Sequence, residues 1–144
     1  MTAPDALAAL PHGPSFRFVD ELTALTPGLS GTATYTVRGD EAFLAGHFPG
    51  QPLMPGVILI EALAQLGGVV AQSDPAITPL TDLKLTAVRG AKITGSAVPG
   101  EILIICAQVV GRMGGLVQVQ GEVRVAERVI LTGQVTLSGA PAAP

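Results

Sequence analysis

The sequence predicts an α+β domain in which an antiparallel sheet wraps around one long central apolar helix. Two observations carry this. The stretch 57–72, VILIEALAQLGGVVAQ, places Ile58, Leu59, Leu63, Leu66, Val69 and Val70 around its whole circumference, and a helix apolar on every side is a buried one. Strand-like runs stand before and after it. The clearest, VQVQGEVRV, alternates apolar with polar residues, as a strand with one buried and one wet face must.

In chain order, DALAAL near the start can make one or two helical turns ahead of Pro11. FRFVDEL, from Phe16, and GLSGTATYTV, from Gly28, read as strands, the second alternating through Thr32, Thr34 and Thr36. EAFLAG is a short helix or a turn. Pro55-Gly56 opens the central helix, where the missing proline N–H has no acceptor to lose. Three strands follow at 101–110, 116–125 and 129–137, with turns at VPGE and RMGG. No repeat or interdomain linker divides the chain, so 1–137 forms one domain. The small-residue tail SGAPAAP, 138–144, is expected to fray. A sheet of this kind has open edges, and pairing them between two protomers makes a homodimer the expected assembly.

The bulk numbers exclude several classes. The chain has 144 residues, 48% of them hydrophobic and only 13% charged, so it is expected to hide surface in an oligomer or to line an apolar tunnel. Its longest apolar run is broken by Glu61 and Gln65 and falls short of the ~20 residues of a spanning helix, which argues against membrane insertion. The net charge is -3, and the eight Lys and Arg are scattered. Tyr35 is the only tyrosine and there is no tryptophan. Neither a basic patch nor a stacking platform is present, so nucleic acid is not an expected partner. The single cysteine, Cys106, rules out an intrachain disulfide and a Cys-based zinc site, and it reads as a small buried hydrophobe in EILIICAQVV. MTAPDALAALP lacks the basic start and apolar length of a signal peptide, which makes the cytoplasm the expected location.

One carboxylate sits in the most apolar helix. Glu61 and Gln65 are i and i+4 and share a face that Gly68 continues. An isolated ionised carboxylate is costly to bury, so Glu61 is expected to be neutral or to face a cavity, and a buried carboxyl makes a usable general acid. His47 lies in AGHFPG, where Gly and Pro hold the backbone in a tight turn. Gly56, at the helix start, offers an N–H without an intrahelical acceptor at the partly positive end of the helix. A base candidate, an acid candidate and an anion-stabilising backbone end thus fall close together. A structural Glu61 paired with an arginine, and a structural His47, are the alternatives. His12, in LPHGPSF, reads as structural, because no second titratable group is near it in sequence. A metal site from His12, His47 and Glu61 lacks the i, i+4 pairing of helical zinc sites and is not expected.

FLAGHFPGQPLMPGVILIEALAQLGGV resembles the signature of the 3-hydroxyacyl-[acyl-carrier-protein] dehydratases. LPHGPSFRFVDEL and AKITGSAVPGEIL are similar to the flanking segments of that family. The resemblance implies the hot-dog fold, a dimer or a trimer of dimers, and elimination of water to give a trans-2-enoyl thioester. It places His47 as the catalytic base, Glu61 as the catalytic acid, the Gly56 N–H on the thioester oxygen and Gln65 as the amide that orients the acid. It also implies an active site shared between subunits. No metal or organic cofactor is implied; the 4'-phosphopantetheine arrives on the substrate, an acyl-carrier-protein or CoA thioester. Gly13-Pro14-Ser15 replaces the family's Arg-Tyr-Pro, and Ile93-Thr94-Gly95-Ser96-Ala97 replaces an Arg-rich segment. Carrier docking would then fall to Lys84, Arg89 and Lys92, and a fatty-acid or a related polyketide or polyene pathway fits equally. A hot-dog thioesterase and a non-catalytic partner subunit are the alternatives.

Overall fold

The computed structural model describes residues 2–141. In chain order it holds α1 (Ala3–Ala8), β1 (Glu21–Thr26), β2 (Ser30–Thr36), α2 (Gly56–Ala71), β3 (Leu80–Ile93), β4 (Ile102–Met113), β5 (Leu116–Val125) and β6 (Arg128–Pro141). Single 3₁₀ turns stand at Pro14–Phe16 and Ala42–Ala45. The strands form one antiparallel sheet in the order β1-β2-β4-β5-β6-β3, and α2 packs against its concave face. This is the hot-dog arrangement of the sequence-based expectation. No helix among the described residues is long and apolar enough to cross a membrane.

Alternation builds the core. Leu103, Ile105 and Ala107 of β4, Val117, Val119 and Val123 of β5, and Leu131, Val135 and Leu137 of β6 all point inward and are buried. They meet Leu59, Leu63, Leu66 and Val70 of α2, which are buried as well. The helix lies so close to the sheet that a Cβ on Gly67 would stand 2.9 Å from Val119.

Three sequence expectations change. The strand expected from Phe16 begins only at Glu21, because Phe16 and Phe18 bond a helix side chain and not a neighbouring strand. β3 was not anticipated: its outer half is exposed, and three register shifts along its pairing with β6 break the alternation that would mark it. The tail expected to fray from Ser138 instead extends β6. Ser138, Ala140 and Pro141 face Lys84, Thr81 and Leu80, since the long β3 offers them a backbone to pair with. The remaining three residues of that tail lie outside the described residues.

Gly121 sits where β5 crosses under α2. A Cβ there would run into the Cys106 carbonyl oxygen of β4 and come within 2.6 Å of Leu63 Cδ1. Backbone cannot yield as a flexible side chain can. Gly121→Ala should therefore destabilise the fold by about 1–3 kcal/mol. The check is a fall in the denaturant midpoint at unchanged slope.

Candidate active site

Gln65 is only 2% exposed, so its amide must find partners inside the protein. It does. Oε1 accepts from the Phe18 N–H at 2.8 Å, and Nε2 donates to the Phe16 carbonyl at 2.9 Å. The same Nε2 donates to Glu61 Oε2, also at 2.9 Å, one turn back along α2. The chain bonds fix which end of the amide is oxygen, and therefore that a donor faces Glu61. No partner of Glu61 Oε1 is recorded among the described residues.

Glu61 opens onto a cavity of about 700 Å³. The face of α2 that lines it carries Glu61, Ala64, Gln65, Gly68, Val69 and Gln72, and Leu83, Leu85 and Leu137 line it from the sheet. Gln72 closes the far end of that face with two bonds to the Leu80 backbone, at 2.7 and 3.1 Å. Its lining is mostly apolar, with His12, Glu61, Gln65, Gln72, Asp82 and Lys84 as its polar members.

His47 is held elsewhere. Its turn is tied by Leu53 N–H to the His47 carbonyl at 2.7 Å, and by the pair of bonds between Phe48 and Gln51. Gly50 takes φ +74°, a left-handed conformation that favours glycine. His47 Nδ1 stands 2.8 Å from the Leu53 carbonyl. A carbonyl only accepts, so Nδ1 carries the proton and Nε2 keeps the lone pair. The ring stacks on Phe48 at 4.1 Å.

Gly56 follows Pro55, the last extended residue before α2, and no side chain caps this helix end. A Cβ on Gly56 would come within 2.5 Å of Ile93 Cδ1, the movable end of a half-exposed β3 side chain.

The structure brings Glu61 and Gln65 together and keeps His47 apart: His47 is neither bonded to Glu61 nor among the cavity residues. It also brings in a group that sequence reasoning set aside. His12 lines the cavity, with Nε2 at 3.4 Å from Glu61 Oε2. His12 reads as structural because no titratable group is near it in sequence; tertiary folding is what sets it beside Glu61. Lys84 lines the same cavity, whereas Arg89 and Lys92 line a separate, polar concavity across the sheet. The three do not form one patch. Among the described residues, no group of three His, Cys, Asp or Glu side chains is arranged to hold a metal ion.

A buried carboxylate missed in sequence lies ahead of the His47 turn. Glu41, 9% exposed, accepts from the Tyr35 hydroxyl at 2.7 Å, from Gly39 N–H at 2.7 Å and from Arg38 N–H at 3.2 Å. Burial alone would raise its pKa, but the Tyr35 hydroxyl and these backbone donors outweigh it and hold the carboxyl below its ordinary value. Tyr35 is pushed well above the usual phenol range by its own burial and then by Glu41. The isolated Asp-Glu spacing of GDEAFLAG gave no sign of this, since the partner tyrosine lies on β2.

Residues 10–134 match the family model described as FabA-like domain. The chain is 39% identical over 115 residues to the 3-hydroxyacyl-[acyl-carrier-protein] dehydratase FabZ of Anaeromyxobacter sp. (strain Fw109-5), covering 78% of this chain and 73% of that protein. It is 38% identical over 110 residues to the protein of the same name from Anaplasma phagocytophilum (strain HZ), covering 75% and 76%. In fold it is similar to a chain of the dehydratase heterocomplex ApeI:P from Xenorhabdus doucetiae, at TM-score 0.78 and 18% identity over 96% of this chain and 91% of that one.

Glu41 yields a pH prediction. Its folded pKa lies below the unfolded value, so its stabilisation is present above the ordinary carboxylate range and is lost as pH falls through the folded value. Glu41→Gln should lower stability at neutral pH by about 1–3 kcal/mol. It should also flatten the acid limb of a plot of denaturation midpoint against pH. An acid limb as steep as the parent's would assign that limb to other carboxylates.

Proposed function

The chain belongs to the FabA-like family, and on that premise we propose that it eliminates water from a 3-hydroxyacyl thioester to give a trans-2-enoyl thioester. It is an enzyme, a 3-hydroxyacyl-[acyl-carrier-protein] dehydratase of fatty-acid or related polyketide or polyene biosynthesis. The observation that carries the mechanism is the Glu61 carboxyl at a mostly apolar cavity, with Oε2 bonded by Gln65 and no partner for Oε1 among the described residues.

The chemistry follows from the polarity of each group. His47 Nε2 takes a proton from the carbon beside the thioester carbonyl, because Nδ1 is engaged by Leu53. The electron pair of that C–H bond moves toward the carbonyl, and the Gly56 N–H at the helix start stabilises the oxygen as charge builds on it. The bond to the β-hydroxyl then breaks, Glu61 supplies the proton, and water leaves as the double bond forms. The thioester itself acidifies the α-hydrogen, so these steps call on no metal or organic cofactor. The pantetheine arm belongs to the substrate, and Lys84, at the cavity, is the best placed of the three basic residues to meet the incoming carrier.

His47 and Glu61 are proposed to meet across a dimer. Two features support this. They do not share a cavity within one chain. The outer edge of β3 is unpaired among the described residues, and apolar Phe48, Val57 and Ile93 are 53%, 69% and 53% exposed around His47 and Gly56. A second copy placed there would cover them.

The test uses crotonyl-CoA and the reverse reaction. Loss of enoyl absorbance without free thiol marks the dehydratase; release of free thiol would mark a thioesterase. Glu61→Gln keeps the bond pattern but cannot act as a carboxylic acid, and turnover should fall by roughly 10²-fold or more with the fold intact. Near-normal turnover would remove Glu61 from the mechanism.

The shared site has its own test. His47→Ala and Glu61→Ala, each inactive alone, are refolded together in equal amounts. Random pairing makes half the dimers mixed, each with one intact site, so about a quarter of wild-type activity should return. No recovery in a sample shown by mass spectrometry to contain mixed dimers would place both residues in one chain.

A further inference from the structure

We infer that His12 is a positioning residue for Glu61, holding the carboxyl together with Gln65 so that Oε1 presents the proton to the departing hydroxyl. The inference rests on the reading of Glu61 as the acid. It begins from a geometric fact: two side-chain nitrogens from different elements lie beside one oxygen, one of them hydrogen-bonded to it and the other in close contact. Gln65 Nε2 reaches Glu61 Oε2 at 2.9 Å from along the helix, and His12 Nε2 stands 3.4 Å from the same atom, from the segment before β1. One hydrogen bond leaves a carboxyl free to swing about that contact. A second donor from another direction removes the swing. At 3.4 Å this is a close contact and not a formed hydrogen bond, and catalytic hydrogen bonds often form or tighten only when substrate fills a site.

The tautomer follows from burial. His12 Nδ1 is buried with no partner among the described residues, so a proton there would go unpaired. In the neutral ring the proton therefore sits on Nε2, the nitrogen that faces Oε2. The ring is also held in place. Arg17 Nη2 donates to the Leu10 carbonyl at 2.9 Å, and Phe16 N–H to the Gly13 carbonyl at 3.0 Å, closing the turn on either side of His12. Leu10 is buried in the core, and the Phe16 ring lies within 26° of parallel to the imidazole. Gln65 grips the Phe16 carbonyl, so the two donors are fixed relative to each other through a short stretch of chain.

The test separates positioning from mere packing by resolving kcat from KM. His12→Ala removes the donor, and His12→Leu removes it while filling the space. His12→Gln restores an Nε2 donor at similar reach. With crotonyl thioesters of CoA, pantetheine or carrier protein, His12→Ala and His12→Leu should lose about tenfold or more in kcat. KM should stay within about twofold, and His12→Gln should recover most of the loss. Wild-type kcat in the folded Ala or Leu variant, a loss confined to KM, or a Gln variant no better than Leu would each overturn the inference. If Ala fails to fold, the Leu and Gln pair decides alone. Glu61→Gln, measured beside them, tells the two failures apart. An active Glu61→Gln removes the acid itself, whereas an inactive Glu61→Gln with a normal His12→Leu removes only the role of His12.

Discussion

The structure depends on one buried amide. Gln65 joins the N-terminal segment to the central helix through Phe16 and Phe18, and the same side chain sets the orientation of Glu61. Without it, the buried Phe18 N–H would lose its partner at about 1–3 kcal/mol, and the part-buried Phe16 carbonyl would lose its own. The consequence spreads by packing. Phe18, pinned by its N–H, meets the rings of Tyr35 and Phe43 edge-on at 5.6 and 5.9 Å. Tyr35 bonds Glu41, Glu41 bonds the backbone of Arg38 and Gly39, and the chain then runs into the turn that carries His47. The proposed acid and base of one chain thus lie at the two ends of one connected run of contacts and chain.

The helix does two jobs with two faces. Leu59, Leu63, Leu66 and Val70 fill the hollow of the sheet, and Gly67 lets Val119 of β5 close in. The other face is kept small at Ala64 and Gly68, and a Cβ on Gly68 would meet nothing nearer than 3.7 Å. Space is therefore left along that face for about 700 Å³, running from Glu61 toward Gln72. A helix apolar all round is expected to be buried, but burial by protein on one side and by a ligand on the other satisfies the same pattern.

This explains what was legible in the sequence and what was not. The helix, β2 and β5 were readable because their periodicity follows directly from burial. Glu61 and Gln65 were readable because polar residues at i and i+4 stand out against an apolar run. β3 was not, because its register shifts and the positive φ at Asp82 and Gly90 interrupt the two-residue period on which strand reading relies. For the same reason Lys84 ended up at the cavity while Arg89 and Lys92 faced away. His12 and the Tyr35–Glu41 pair were hidden for a different reason. Their meaning lies in partners on other elements, and no local pattern encodes a contact made by tertiary folding.

The partners chosen for the two key groups also make chemical sense. An elimination that takes a proton with one group and gives a proton with another needs a free base and a protonated acid at the same moment. If His47 and Glu61 bonded each other directly, transfer between them would yield an imidazolium and a carboxylate, and neither could act. The hydrogen bonds that orient each come instead from neutral groups, the Leu53 carbonyl for His47 and the Gln65 amide for Glu61, and the proposed neutral His12 turns an N–H and not a lone pair toward Oε2. The carbonyl accepts from Nδ1–H and so leaves the lone pair of the proposed base on Nε2. The amide donates to Oε2 and so leaves the proton of the proposed acid to Oε1. In the proposed mechanism orientation is thereby set without spending the proton that the reaction needs, and only the substrate has to stand between the two groups across the proposed dimer.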